Sequence, residues 1–222
     1  MKAISLRLFF SLFIAASFSQ SAQAQFDFLR KLLEPDVVQV TDKLREYIRD
    51  DLPKVTHDRD EELKHIDMIF AKGMELSNND PGTGLLAISL AVLNRTNFKP
   101  SFPLIGAVTL PLPSEDSVDA SLRINNLPRY FLKDSPQDKW GDSAKLVHFF
   151  GSAYLTYETG TRKLPDAIGV WIEEGEATFK LDSLGQRRDI FINRLGQQFG
   201  KALSEGREVL PSDYLKAEYI KR

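Results

Sequence analysis

Apolar residues recur every three or four positions near both ends of the chain, which is the spacing of amphipathic helices. In "DVVQVTDKLREYIRDDL", residues 36–52, one stripe is apolar, and Pro53 follows closely. A second such segment begins at about Asp58, with Glu61 as a capping-box partner, and continues to Met74. The pattern predicts a helix in each segment, followed by a turn at "SNNDPGTG".

The segment "LLAISLAVLN", residues 85–94, is apolar on nearly every side. It is too short to cross a bilayer, which needs about 20 apolar residues. A helix that is apolar all round is buried in a soluble protein. We therefore expect this segment at the centre of the core.

Residues 97–140 carry six prolines, which exclude a long helix there. Within them, "LIGAVTLPL" is compatible with a short strand or one arm of a β-hairpin. An irregular segment of this length either wraps over a helical core or covers a site. The pattern slightly favours the wrap.

The last third predicts three helices. They cover about 142–159, ending at Gly160; about 165–181, opening at Pro165; and about 187–204, ending before Gly206. The predicted fold class is mainly α: a compact helical bundle with an irregular proline-rich middle segment, in which a short β-hairpin is an option.

Each of these three helices carries a stripe of polar residues and glycine beside its apolar stripe. The stripes are His148, Gly151, Ser152 and Leu155; Gly169, Glu173, Glu176 and Lys180; and Asp189, Asn193, Gly196 and Gly200. If the stripes meet, they form a polar cluster that must be hydrogen-bonded or metal-bound to be stable. The alternative is that the charged residues form a solvated face and the glycines only allow close helix packing.

The first 24 residues are typical of a secretory signal peptide. Lys2 and Arg7 precede the apolar run "LFFSLFIAASF", and small residues at Ala22 and Ala24 predict cleavage before Gln25. Residues 25–222 are then expected to form a single helical domain, periplasmic or secreted. The chain has no Cys, so it forms no disulfide and carries no lipid-modified cysteine.

Cleavage leaves 27 basic and 31 acidic residues, a net charge of −4. Mild acidity with both signs mixed along the chain gives no reason to expect nucleic acid as a partner. At the new N-terminus, apolar residues flank two basic ones: Phe26, Phe28, Leu29, Leu32 and Leu33. This segment favours docking on the protein's own core, with peripheral contact to a membrane interface as the alternative.

Other chemical patterns are weaker. His57, Glu61 and His65 are spaced by four, as metal ligands on one helix face would be, but their surroundings are typical of a solvated face. We therefore predict no metal site. Ser152 follows His148 by four residues without the Gly-x-Ser-x-Gly turn of a nucleophilic serine. No cofactor is indicated by any motif.

Three segments, "KLVHFFGSAYL", "AIGVWIEEGEATFKLD" and "DIFINRLGQQFG", resemble the VanZ-like family and the small YfiM-like envelope lipoproteins. The resemblance covers 142–204 and implies a helical bundle with a polar motif inside it. The matching positions are Lys145, His148 and Phe149; Glu173 or Glu176; and Asp189, Asn193, Gly196 and Gly200. The chain departs from the pattern at Ala144, where the family has Asp.

Two hypotheses about function follow. In the first, the protein is a non-catalytic envelope protein that binds a lipid-like or cell-wall-related ligand, or a partner protein. Its binding residues are Lys145, His148, Ser152, Asp189, Asn193, Gly196 and Gly200. In the second, it is a periplasmic hydrolase or transferase, in which His148 acts with Glu173, Glu176 and Asp189. The first is favoured, because the carboxylates have no recognisable catalytic spacing.

Overall fold

The computed structural model describes residues 30–94, 101–102, 106–107, 115–160 and 183–217. These residues are mainly helical, as predicted. The helices are α1 (Pro35–Asp50), α2 (Arg59–Leu76), α3 (Pro81–Ala91), α4 (Ser117–Asn126), α5 (Lys145–Thr159), α6 (Ser183–Ser204) and α7 (Pro211–Leu215). Two short strands, β1 (Ser101–Phe102) and β2 (Gly106–Ala107), pair antiparallel.

Aspartates begin three of these helices. Asp58 accepts hydrogen bonds from the backbone N–H groups of residues 60 and 61 at the start of α2. Asp80 caps α3 and Asp116 caps α4 in the same way. Such side chains satisfy N–H groups that have no partner within the helix. At the C-terminal end of α5, Gly160 adopts the left-handed conformation that ends a helix.

The centre of the bundle is α3, which is buried on every side, as its all-apolar sequence predicts. It packs against α1, α2 and α5, and α5 in turn packs along α6. The rings of Phe70, Phe149 and Phe199 meet where α2, α5 and α6 converge. The core therefore extends directly to the interface between α5 and α6.

The described part of the proline-rich middle segment contains one helix beyond the expected irregular chain and optional hairpin. Residues 97–140 contain α4, a helix that the sequence analysis did not predict, between Pro113 and Pro128. The prolines exclude a long helix but leave room for a short one, which Asp116 caps. The strands form the optional hairpin, with Ser101 opposite Ala107 and Phe102 opposite Gly106.

Some predicted features can be located and others fall outside the described residues. Leu32 is 1% exposed and belongs to the core, whereas Leu33 is half exposed. The signal peptide, Phe26, Phe28, Leu29 and the predicted helix 165–181 lie outside the described residues. Within the described part, no helix combines the length and apolar character needed to cross a bilayer.

Candidate functional site

The helices α5 and α6 lie side by side and run in the same direction. Lys145 at the start of α5 contacts Asp189, and Ser152 further along contacts Asn193. The backbone contacts follow the same order, from Phe149 with Gly196 to Ala153 with Gly200. Two of the three predicted stripes therefore meet, in parallel register.

The two glycines of α6 lie directly under the backbone of α5. A Cβ at Gly196 or Gly200 would come well within 3 Å of the carbonyl oxygen of Phe149 or Ala153, closer than real Cβ atoms approach. Small residues let helix backbones approach this closely, and Cα–H···O contacts add to the packing. These contacts favour the alternative that the glycines allow close helix packing, and a role of the glycines in a ligand site stays a prediction.

The polar residues of the same stripes form one connected cluster. The Lys145 ammonium donates to Oδ1 of Asp189, and Nε2 of His148 lies 3.8 Å from that oxygen. Ser152 Oγ donates to Oδ1 of Asn193 at 3.1 Å, and the amide of Asn193 acts on the pKa of His148. The structure thus brings together all five polar residues expected on these two helices.

The cluster is largely but not completely closed to solvent. The side chains of His148 and Asp189 are 21% and 18% exposed. Burial lowers the pKa of His148 below its ordinary value of 6.5; Lys145 lowers it further, while Asp189 and Asn193 oppose the shift. His148 is therefore neutral at pH 7, with one ring nitrogen able to accept a proton.

A second charged group adjoins this cluster and was not predicted. Nη2 of Arg188 lies 2.8 Å from both carboxylate oxygens of Asp142 and 3.3 Å from Oδ1 of Asp134. Asp142 is almost fully buried, and this burial raises its pKa although Ser135, Arg188 and Lys145 act in the opposite direction. The ion pair ties the start of α6 to the loop before α5.

The sequence contained a signal for this pair. Asp142 precedes Lys145 by three residues, and Arg188 precedes Asp189 directly. Arg188 also lies four residues before Ile192, so it falls on the apolar stripe of α6, where a charged residue signals a buried partner. Only the tertiary contact of α5 with α6 shows that Asp142 is that partner.

Another unpredicted residue, Glu62 of α2, holds the loop that leads to α5. Its fully buried carboxylate accepts backbone hydrogen bonds from Thr56 at 2.6 Å, Arg129 at 2.7 Å and Tyr130 at 3.4 Å. Bonds from N–H groups compensate a buried carboxylate for the water it loses. Glu62 therefore fixes the path of the chain from α4 toward the polar cluster.

The three residues considered as metal ligands do not converge. His57 is exposed and stacks on Tyr130 with the ring centres 4.3 Å apart. Glu61 accepts a hydrogen bond from Lys64, while His65 is buried. In the parts of the chain that the structure describes, no three His, Asp or Glu side chains are grouped as a metal site. Glu173 and Glu176 of the third stripe lie outside the described residues.

Comparison of this chain with protein families, with curated proteins and with solved structures finds no match in any of the three. The resemblance to the VanZ-like family stays a prediction. The geometry of the polar cluster is the observation on which a function can be based.

Proposed function

We propose that this chain is an exported envelope protein that binds, without transforming it, a lipid-like or cell-wall-related ligand or a partner protein. The polar cluster between α5 and α6 orients that ligand through Lys145, His148, Ser152 and Asn193. The signal-like pattern of residues 1–24 supports export. The observation that carries the binding role is that Asp189 accepts a hydrogen bond from Lys145, while Nε2 of His148 lies 3.8 Å from the same oxygen.

In a catalytic triad a third group, most often a carboxylate, orients the histidine. The partner accepts a hydrogen bond from the imidazole at about 2.6–3.2 Å and thereby fixes its tautomer and orientation. Nε2 of His148 is 3.8 Å from Asp189, and the Lys145 ammonium takes the nearer contact. Asp189 therefore pairs with Lys145. This pairing supports a polar cluster that binds and positions a ligand without transferring protons to it.

The second candidate is a hydrolase or transferase, and the lowered pKa of His148 favours it. A neutral imidazole that is partly exposed is able to accept a proton at pH 7. In this mechanism Glu173 or Glu176 would orient His148. It predicts that His148→Gln abolishes activity in a folded protein.

Native mass spectrometry of the chain isolated gently from the cell-envelope fraction tests the binding role. We expect a stoichiometric additional mass that is lost in Asn193→Ala but kept in His148→Gln, which retains size and hydrogen bonding. Gln198→Ala changes an exposed residue of α6 and is the matched control. A second protein chain in the spectrum identifies a partner instead of a small ligand.

A bare chain in every preparation contradicts the proposal. Turnover of a cell-wall or lipid substrate that His148→Gln removes, with the circular dichroism spectrum unchanged, supports the enzyme instead.

A further inference from the structure

The predicted cleavage of the signal peptide leaves a glutamine at the new N-terminus. Ala22 and Ala24 occupy the positions before a signal-peptide cleavage site where small residues are required, and the residue after Ala24 is Gln25. An N-terminal glutamine contains both a nucleophile, its α-amine, and an electrophile, its side-chain carboxamide. Cleavage at this position therefore creates a residue that is able to react with itself.

We propose that Gln25 cyclises to pyroglutamate once the signal peptide is removed. The α-amine nitrogen attacks Cδ of the side chain, so that a bond forms between N and Cδ while the bond between Cδ and Nε2 breaks. One amine proton leaves with Nε2 as ammonia, and the product is a five-membered lactam. Nothing is oxidised or reduced, and no co-reactant is consumed. This inference rests on the export that the proposed function includes.

Two general properties of an N-terminal glutamine favour this step. An α-amine is partly neutral near pH 7, and the neutral form is the nucleophile. The amine and the carboxamide are also held in one residue, which gives them an effective concentration far above that of separate molecules. An asparagine in the same place would have to form a strained four-membered ring. The length of the glutamine side chain therefore decides whether the ring closes.

The contacts at the described start of the chain do not use a terminal charge. Leu32 is buried in the core, and the N–H of Leu33 donates to the carbonyl of Arg30 at 3.1 Å. The Lys31 ammonium pairs with Glu158 of α5 at 3.1 Å. All of these groups are side chains or backbone groups from residue 30 onward. Loss of the charge of the α-amine therefore breaks none of them.

Cyclisation changes two properties of the mature chain. The lactam nitrogen is not basic, so the chain becomes one charge more negative than its open form. Aminopeptidases bind the free α-amine of their substrates, and the lactam has none. The closed N-terminus therefore protects Phe26 and the residues after it from stepwise removal.

Intact-mass spectrometry of the chain expressed with its own residues 1–24, and isolated from the cell-envelope fraction, tests the proposal. We expect the mass of residues 25–222 reduced by the mass of one ammonia molecule. Edman degradation is expected to release no residue, because the lactam has no free amine. Incubation in neutral phosphate buffer is expected to convert any remaining open chain to the closed form.

Gln25→Asn is the matched control, because it keeps a carboxamide and shortens the side chain by one methylene group. Its mass is expected to equal that of open 25–222, and Edman degradation is expected to begin at position 25. An added aminopeptidase is expected to shorten this variant and to leave the wild type intact.

The masses separate failure of cyclisation from failure of export. The mass of residues 1–222 in the isolated chain shows that the signal peptide is not cleaved, and it overturns both proposals. An open 25–222 that persists after incubation overturns cyclisation alone, and so does cleavage at another residue. Loss of ammonia to the same extent in Gln25→Asn contradicts the assignment to Gln25.

Discussion

Gly196 of α6 lies against the backbone carbonyl of Phe149 in α5, with no space for a side chain between them. The same relationship holds one turn later for Gly200 and Ala153. Because α5 and α6 run in parallel, these contacts set the register that brings Asp189 to Lys145. The geometry of the polar cluster therefore depends on the close packing of the glycines.

Gly196→Ala and Gly200→Ala are each expected to destabilise the protein by about 2–3 kcal/mol, since the helices must separate to admit the methyl group. Equilibrium unfolding in urea measures the change. Gly151→Ala in α5 is the control, because a Cβ there has no atom within 4 Å. We expect that variant to be neutral or up to about 1 kcal/mol more stable, as alanine favours helix. An equal loss in all three variants contradicts the close packing.

Removing Lys145 leaves the Asp189 carboxylate without its cation in a mostly buried place. Lys145→Met is expected to cost about 2–3 kcal/mol, somewhat less than for a fully buried pair because Asp189 retains some exposure. Lys145→Met combined with Asp189→Asn is expected to recover part of that cost, because no unpaired charge remains. A double-mutant cycle measures the coupling, and additive effects of the two changes contradict the pairing.

Arg188→Met is expected to destabilise the fold by about 3 kcal/mol, since it leaves the buried Asp142 unpaired. Asp142→Asn is expected to cost less, because burial, which raises the pKa of Asp142, already makes its charged form unfavourable, and Arg188 retains its ion pair with Asp134. Chemical denaturation of both variants measures the order. Lys64→Ala, at an exposed pair with Glu61, is the control and should show no measurable change. The reverse order of the two variants argues against this assignment.

The depressed pKa of His148 makes stability dependent on pH. Below its ordinary value of 6.5 the unfolded chain binds a proton that the folded protein does not, so the free energy of unfolding falls as the pH falls. The slope from this group is at most about 1.4 kcal/mol per pH unit. His148→Gln is expected to remove it. Urea unfolding between pH 7 and pH 5 measures the slope, and NMR titration of the imidazole measures the pKa; a value above 6.5 contradicts the effect of burial.

Glu62→Gln tests the loop before α5. The amide nitrogen of glutamine is a donor and has to face one of the N–H groups that the carboxylate now accepts. We expect a loss of about 1–3 kcal/mol, as for a buried unsatisfied group. Hydrogen exchange distinguishes the local effect, because the amides of Thr56 and Arg129 should lose protection before those of α3. Unchanged exchange at both amides contradicts the role of Glu62.

The sequence by itself determined the elements whose cause is local. Apolar spacing predicted α1 and α2, aspartate capping marked the start of α2, and Gly160 marked the end of α5. The all-apolar segment of α3 predicted its central place, since no face of it favours water. The prolines of residues 97–140 predicted that no long helix forms there, but they did not predict the short α4, because they limit helix length without excluding a helix of ten residues.

Only the tertiary structure decided which residues are partners. The sequence placed five polar residues on one face each of α5 and α6: Lys145, His148, Ser152, Asp189 and Asn193. It did not show that Lys145 lies closer to Asp189 than His148 does. It also assigned Gly196 and Gly200 to a ligand, whereas the backbone of α5 covers them. Side-chain spacing fixes which residues share a face of one helix, while the direction and separation of two helices decide which atoms meet across them. The separation of the two helices is set by the glycines and by the packing of the whole core. A local sequence pattern does not contain the information about that packing.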